Sequence, residues 1–246
     1  MFTLYHEIVY QPLYNGLIFL IDVVPWADAG IAVVILTVLV KLILFPLSKK
    51  AIVTQVRMKA LEPELASIRV KYKDDKQTQA QKTMALYKDK KINPFAGIVV
   101  ILIQFPIIIG LYSIFLKSGL PTITTDLLYS FVSTPSVVNM HFLTLVDIGQ
   151  KSLWLALIAA ATQYFQIKFA IPTITPATST GAKPTFQEDL ARSMQVQMKY
   201  VFPVMVFFIS YNILSAVALY WTVSNLFAIG QEIVVRRKFH LGESNK

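Results

Sequence analysis

One lysine interrupts a long apolar stretch in the first fifth of the chain. The sequence IAVVILTVLVKLILFPLSKK runs from Ile31 to Lys50, and Lys41 lies inside the apolar run that ends at Leu47. An ammonium group at the centre of a membrane-spanning helix costs about 2.5–3.5 kcal/mol on insertion scales. A charge kept at that cost predicts a specific task, such as attracting an acidic group into a hydrated cavity.

Uncharged polar residues accompany this cation. Thr37 lies four residues before Lys41 and Ser48 seven residues after it, so all three would share one face of a continuous helix. Other apolar segments carry further hydrogen-bonding side chains, namely Gln104, Tyr112, Gln163, Gln166, Tyr220, Trp221, Ser224 and Asn225. Polar groups within lipid turn towards one another or towards water. The pattern predicts a hydrated cavity that receives polar or acidic peptide.

Each of these residues also has a simpler interpretation. Lys41 could extend its ammonium group to the headgroups, as lysines near helix ends do. Gln104, Gln163 and Gln166 could join helices by hydrogen bonds worth about 0.6 kcal/mol each. Tyr220 could serve only in packing, as could its neighbour Trp221. The combination favours a hydrated cavity more than any single residue does.

The composition indicates a polytopic membrane protein. Of 246 residues, 55% are hydrophobic and 15% are charged, against about 25% charged residues in a typical soluble domain. The mean hydropathy is +0.56, and the apolar residues cluster in long runs. The chain has no cysteine, and its three histidines match no metal-ligand spacing. We therefore expect no metal site and no cofactor.

The apolar runs predict an all-α fold with five transmembrane helices. The predicted organisation is an N-terminal interfacial amphipathic segment (1–29), a first span (30–47), a cytoplasmic basic helical hairpin (48–93), a second span (94–116), an extracytoplasmic loop (117–151), a third span (152–169), a cytoplasmic loop (170–199), a fourth span (200–214), a fifth span (215–235) and a short cytoplasmic tail (236–246). A compact form of the extracytoplasmic loop would be a lid with a short interfacial helix.

Basic residues determine the predicted orientation. The segment 48–93 holds far more lysine and arginine than the segment 117–151, so the positive-inside rule places the first in the cytoplasm and the N-terminus outside. Two stretches rich in helix formers, joined by a DDK turn, predict the hairpin. We expect its basic side chains to recruit partners or anionic lipid, and the candidates are Arg57, Lys59, Arg69, Lys71, Lys73, Lys88, Lys90 and Lys91.

Three stretches resemble the YidC/Oxa-type membrane protein insertases, in the short form found in bacteria. They are GIAVVILTVLVKLILFPLSKK, KYKDDKQTQAQKTMALYKDKKINPFAGIVVILIQFPIIIGLY and ALYWTVSNLFAIGQE. The resemblance implies five helices around a hydrophilic groove open to the cytoplasm. It places the groove's basic, glutamine and tryptophan positions at Lys41, Gln104 and Trp221. Family members usually have arginine where this chain has Lys41, and lysine lacks the five-donor fork of arginine.

The resemblance implies a binding protein of the cell membrane rather than an enzyme. It would move hydrophilic segments of nascent membrane proteins through the groove and release their apolar helices into lipid. Its partners would be those chains, with ribosome, targeting receptor, Sec translocon and anionic lipids as further candidates and no small-molecule substrate. Two alternatives stay open from the residues alone, a small transporter or channel and a structural subunit of a membrane complex.

Overall fold

The computed structural model describes residues 2–24, 28–93, 96–116, 120–170, 193 and 196–243. Most of the predicted cytoplasmic loop 170–199 lies outside these residues. The described helices are α1 (Phe2–Tyr5), a π-helical turn (His6–Tyr10), α2 (Gln11–Val23), α3 (Ala29–Ile43), α4 (Phe45–Ala60), α5 (Glu62–Lys71), α6 (Lys76–Asp89), α7 (Ala96–Leu116), α8 (Leu153–Ala170), a second π-helical turn (Gln197–Val201), α9 (Phe202–Asn212) and α10 (Ser215–Glu243). The fold is helical, as expected for a polytopic membrane protein of this composition.

A sharp bend separates α3 from α4. Pro46 lies in the first turn of α4 and has no amide hydrogen to donate to the carbonyl of Leu42, which breaks the helical pattern. The two helices meet at Leu44 at an angle of 62°. The predicted first span extends through this bend to residue 47. The reason is that the residues remain apolar beyond the point where the straight helix α3 ends.

The described helices differ in length and in apolar character. Within the described ranges, no helix taken singly combines enough length with enough apolar character to cross a bilayer. The bent pair formed by α3 and α4 does so jointly, and Leu102–Leu116 is a shorter apolar helical stretch.

Helix α10 lies at the centre of the bundle. Its first two turns are almost fully buried, with Val217 and Ala218 at 0% exposure. It packs most extensively against α8 and α3, and it also contacts α4, α7 and α9. Since small and β-branched side chains fill this first part of α10, neighbouring helices can approach it closely. The polar residues that follow on α10 are therefore placed between several helices.

The N-terminal helix α2 is part of this core. Tyr14, Leu17 and Ile18 are at 0% exposure, and α2 contacts α3 and α7. The amphipathic pattern predicted a helix with one apolar face, and the structure shows that this face contacts protein. The polar residue Asn15 is buried in the same surface at 2% exposure.

The predicted extracytoplasmic loop, called the outer loop below, is described at residues 120–152, where it contains no α-helix. It has a single 3₁₀ turn at Thr125–Leu127 and a two-stranded antiparallel sheet of β1 (His141–Phe142) and β2 (Val146–Asp147). The register pairs His141 with Asp147 and Phe142 with Val146. The short interfacial helix suggested for this loop is thus replaced by a turn and a hairpin.

The basic segment forms two helices, α5 and α6, joined by a turn at residues 72–75. Pro63 lies in the first turn of α5, where its missing amide hydrogen costs nothing. Asp75 caps α6, and its carboxylate accepts from the Thr78 backbone amide at 3.0 Å. Leu65 of α5 and Gln79 of α6 are buried. Within the described residues, α5 and α6 mainly contact each other and α4.

Candidate functional site

Lys41 is held by a hydrogen-bonded chain that crosses three helices. It occupies the last turn of α3, and its Nζ donates to Gln104 Oε1 on α7 at 3.0 Å. Gln104 Nε2 in turn donates to the Tyr220 hydroxyl on α10 at 2.5 Å. Ser224, one turn further along α10, is a second hydrogen-bond partner of Tyr220. The structure therefore brings four predicted residues together as one Lys41 cluster: Lys41, Gln104, Tyr220 and Ser224.

The Lys41 cluster carries one positive charge and uncharged partners. In the described part of the chain, the ion pairs are Lys90–Glu64 and Arg236–Glu232, and neither includes Lys41. Gln104 offers Lys41 a carbonyl oxygen, which stabilises the ammonium group without neutralising it. The site is thus suited to an acidic group that arrives from outside the protein.

A second polar cluster lies between α8 and α10. Trp221 Nε1 donates to Gln163 Oε1 at 2.8 Å, and Gln163 Nε2 donates to Gln166 Oε1 at 3.1 Å. Asn225 Nδ2 reaches Thr162 Oγ1 on α8 at 3.3 Å. We call these five residues the α8–α10 cluster. Four of them were candidate groove residues, and Thr162 was missed although it precedes Gln163 in the sequence.

The two clusters face different sides of α10. Tyr220 and Trp221 are consecutive residues, so their side chains point about 100° apart around the helix. Tyr220 is turned towards α7 and Trp221 towards α8. Among the described residues, no hydrogen bond joins one cluster to the other. The prediction that Lys41, Gln104 and Trp221 line one groove therefore remains a proposal.

Three further candidates lie outside both clusters. Thr37 is buried, and its hydroxyl donates to the Val33 carbonyl one turn earlier at 2.6 Å. Ser48 donates to the Leu44 carbonyl and lies beyond the 62° bend, so the single polar face predicted for Thr37, Lys41 and Ser48 is not continuous. Tyr112 is partly buried on α7, two turns beyond Gln104.

An acidic residue near the end of the predicted fifth span was missed. Glu232 is 6% exposed and pairs with Arg236 at 2.6 Å, one turn along α10. Arg236 also donates to the carbonyl of Ala170 at 3.1 Å, so it joins the C-terminal end of α8 to α10. The spacing of four residues between an acid and a base on one helix was the available signal.

The predicted recruitment residues are on the surface of α4, α5, α6 and their turns. Arg57 stacks over the ring of Phe239 at 6.0 Å, and Lys71 lies over Tyr72 at 5.7 Å. Lys90 pairs with Glu64 at 3.5 Å, a partly exposed contact of small energy. The remaining members are exposed basic side chains, namely Lys59, Arg69, Lys73, Lys88 and Lys91.

Two hairpin residues have shifted pKa values. Hydrogen bonds from the Thr78 hydroxyl and the Thr78 amide lower the pKa of the Asp75 carboxyl. Burial raises the pKa of the Tyr87 phenol, while the nearby positive charge of Arg69 opposes that change. Both shifts come from contacts that stabilise the hairpin itself.

A family model described as "60Kd inner membrane protein" matches residues 20–243. A membrane protein insertase YidC of Clostridium tetani is 31% identical over 217 residues, covering 88% of this chain and 86% of the relative. One from Fusobacterium nucleatum is 32% identical over 209 residues, covering 85% and 86%. One from Leptospira interrogans is 30% identical over 249 residues, covering 98% of this chain and 37% of that longer relative.

The family model includes every described helix from α3 to α10, and with them both polar clusters. Two of the relatives are also matched over most of their own length. The family match therefore covers nearly the whole chain. The chain belongs to the 60Kd inner membrane protein family, whose curated relatives are named membrane protein insertase YidC.

Proposed function

We propose that this chain is a membrane protein insertase of the cell membrane, which moves hydrophilic segments of nascent membrane proteins across the bilayer. The names of its relatives support this assignment and give no support to a transporter, a channel or a purely structural subunit. In this proposal the five predicted spans surround a hydrated groove that opens to the cytoplasm, with the N-terminus outside and the C-terminus inside.

The observation that carries the proposed mechanism is the Lys41 cluster. Lys41 is held at 3.0 Å by an uncharged glutamine, and in the described chain no acid pairs with it. A carboxylate 4 Å from such an ammonium group gains about 1 kcal/mol in water and about 4 kcal/mol at an effective dielectric constant of 20. Lys41 would therefore draw an acidic tail or loop into the groove.

The energy for insertion comes from the substrate. Moving a hydrophilic segment through hydrocarbon is costly, and a hydrated groove shortens that path. Twenty leucine-like residues at roughly −0.5 kcal/mol each return about −10 kcal/mol when the substrate helix enters lipid. No GxxxxGK[ST] phosphate-binding loop occurs in the sequence, which suits a binding protein that works without catalysing a reaction.

The α8–α10 cluster has a separate role in this proposal. It places four hydrogen-bonding side chains and Thr162 along the seam between two helices that contact each other extensively. Each interhelical hydrogen bond within a membrane is worth only about 0.6 kcal/mol, so these contacts do not close the seam strongly. The seam is a candidate exit for the apolar helix of a substrate. The basic hairpin would recruit ribosome, targeting receptor, Sec translocon or anionic lipid.

The test is insertion of a single-span substrate with an acidic N-terminal tail into proteoliposomes that contain this protein. Protease protection of the tail reports translocation. We expect Lys41→Arg to retain insertion and Lys41→Ala to reduce it about tenfold, which corresponds to about 1.4 kcal/mol. A substrate with a neutral tail should be affected less, because it lacks the charge that Lys41 attracts.

Two further variants control this test. Gln104→Glu would place a carboxylate beside Lys41 and pair its charge, so it should lower insertion of the acidic tail as Lys41→Ala does. Lys168→Ala removes an exposed lysine from α8 and should leave insertion unchanged. Equal insertion by wild type, Lys41→Ala and Gln104→Glu would contradict the role of Lys41. Insertion by wild type no better than by empty liposomes would contradict the insertase assignment itself.

A further inference from the structure

The hairpin of the outer loop ends in an apolar tip. The strands β1 and β2 are joined by Leu143, Thr144 and Leu145, with Leu143 53% exposed and Leu145 80% exposed. The base of the hairpin is polar, since its first pair joins the exposed His141 to Asp147. Apolar character therefore increases towards the end of the hairpin, the reverse of what a turn in water normally shows.

The backbone of the tip has a conformation that glycine or asparagine adopts more easily than leucine or threonine does. Leu143 has a φ of 50° and Thr144 a φ of 61°, both in the left-handed region. Glycine and asparagine occupy this region at lower cost, and a β-branched threonine is especially unfavourable there. A strained turn that nevertheless carries leucine indicates that the apolar side chain has a use.

The tip is fixed to the ends of two central helices. The Leu143 amide donates to Asp28 Oδ2 at 2.7 Å, and Asp28 is also the N-cap of α3. Below the tip, Phe142 packs directly on Gly30 of α3. On the other side, Ile148 is fully buried and its carbonyl accepts from the Ala216 amide of α10 at 2.9 Å. The hairpin thus lies level with the first turns of α3 and α10.

Those first turns are the outer ends of predicted spans, so the tip lies at the outer surface of the membrane. We propose that Leu143 and Leu145 insert into the outer leaflet and anchor the loop to lipid, an inference that rests on the proposed membrane placement. Shortly after the hairpin, the exposed Lys151 precedes α8, and the 72% exposed Trp154 lies in the first turn of that helix. A lysine followed by a tryptophan is typical of the headgroup region at a span end.

Lipid fits the tip better than a protein partner does. A stable protein interface buries about 800 Å² on each partner, far more than three residues at a turn provide. Insertion into a leaflet needs only a short apolar element that reaches roughly 5–10 Å below the headgroups. Two leucines on a fixed backbone meet that requirement without loss of loop order.

The absence of cysteine makes a direct test possible. A single cysteine at position 145 (Leu145→Cys) carries an environment-sensitive fluorophore in vesicles of phosphatidylcholine and phosphatidylglycerol. Quenching is compared for lipids with a nitroxide near the headgroup, lipids with a nitroxide near the bilayer centre, and iodide on both sides of the membrane. Thr134→Cys, an exposed polar position in the same loop, is the matched control. Phe208→Cys, 58% exposed on α9, reports whether the protein spans the bilayer.

We expect the label at position 145 to be quenched by the shallow nitroxide and protected from iodide, with the reverse at position 134. Strong iodide quenching at position 145 would overturn the proposal. Protection from both quenchers would also overturn it, because it would show a second copy of the chain covering the tip. If Phe208→Cys is not quenched by the deep nitroxide, the membrane placement fails, which separates that failure from a failure of the tip to insert.

Discussion

The two ends of the molecule are built differently. At the outer end, residues 120–152 are joined to α2, α3 and α10 by hydrogen bonds from buried side chains and from the first turns of the helices. At the other end, α5 and α6 mainly contact each other and α4. The outer loop therefore depends on the helix bundle for its shape, whereas the basic hairpin is nearly a separate unit.

The difference follows from where each segment finds hydrogen-bond partners for its backbone amides and carbonyls. The outer loop has little secondary structure, so its amides and carbonyls need partners from the helices. Asn15, for example, donates to the Leu127 carbonyl at 2.8 Å and accepts from the Tyr129 amide at 2.6 Å. The hairpin helices satisfy their own backbone and need no such partners. A fixed outer end and an independent basic end suit a groove that opens on one side.

The largest expected effect is at Asn15, which is buried in the contact between α2 and the outer loop. Asn15→Ala would leave the Tyr129 amide without its partner and the Leu127 carbonyl with only the longer bond from Gln11, and a buried orphan costs about 1–3 kcal/mol. We expect the free energy of unfolding to fall by about 3 kcal/mol and protease cleavage of the outer loop to increase. Thermal unfolding in detergent and limited proteolysis measure both.

Gln11→Ala is the matched control, because Gln11 reaches the same carbonyl by a longer bond of 3.3 Å. It should cost less than 1 kcal/mol, in the ordinary range for one solvated hydrogen bond. Equal effects from the two variants would show that the outer loop is not held at Asn15.

The next effect concerns the close approach of the β1–β2 hairpin to α3. A Cβ at Gly30 would lie 2.5 Å from Cδ2 of Phe142, so Gly30→Ala must displace the β1–β2 hairpin. Overpacking of this kind costs about 1–3 kcal/mol. We expect a lower unfolding temperature for Gly30→Ala and partial recovery in the double variant with Phe142→Ala, measured by thermal unfolding in detergent.

Gly97→Ala provides the comparison on α7, at the end of the bundle nearer the basic hairpin. Apart from its chain neighbours and its own helix backbone, the described residues place no heavy atom within 4 Å of a Cβ at that position. Alanine there should be neutral or stabilising by about 0.5–1 kcal/mol, because it favours the helix over glycine. If Gly30→Ala were as harmless as Gly97→Ala, the β1–β2 hairpin would be free to move. The two ends of the molecule would then not differ in how firmly they are held by the helix bundle.

The smallest effect is the pH dependence of the basic hairpin. Hydrogen bonds from Thr78 lower the folded-state pKa of Asp75, so this contact stabilises the hairpin above the ordinary aspartate pKa of about 4. That stability is lost as the pH falls below this value towards the folded-state pKa. Hydrogen exchange in the first turn of α6 should therefore become faster on acidification, with no parallel change in the outer loop.

Thr78→Val removes the hydroxyl that donates to Asp75 at 2.6 Å and keeps the side-chain shape. The acid-induced change in exchange should become smaller in this variant. An unchanged pH profile would mean that another group controls the first turn of α6.

Much of the architecture could be predicted from local features of the sequence. Composition and apolar runs indicated a helical membrane protein, and the Pro63 and Asp75 positions indicated where hairpin helices begin. Asp28 before an apolar run is a further local signal, since it is the N-cap of α3. The bend at Leu44 was missed although Pro46 carried the necessary information, because hydropathy alone does not detect a lost hydrogen bond.

The partners of the polar residues depend on tertiary structure. Lys41 and Gln104 are 63 positions apart, and Gln104 and Tyr220 are 116 positions apart. No local pattern determines how each helix is rotated about its axis, and that rotation separates Tyr220 from its neighbour Trp221.

The sequence by itself determined the family, the helical class, and the presence of one cation with uncharged polar residues in an apolar protein. Those properties follow from residue types and their local spacing. Only the tertiary structure decided which polar groups meet, that they form two clusters, and that the outer loop is a turn and a hairpin bonded to helix ends. Such contacts join distant segments, and their geometry is set by packing of the whole bundle.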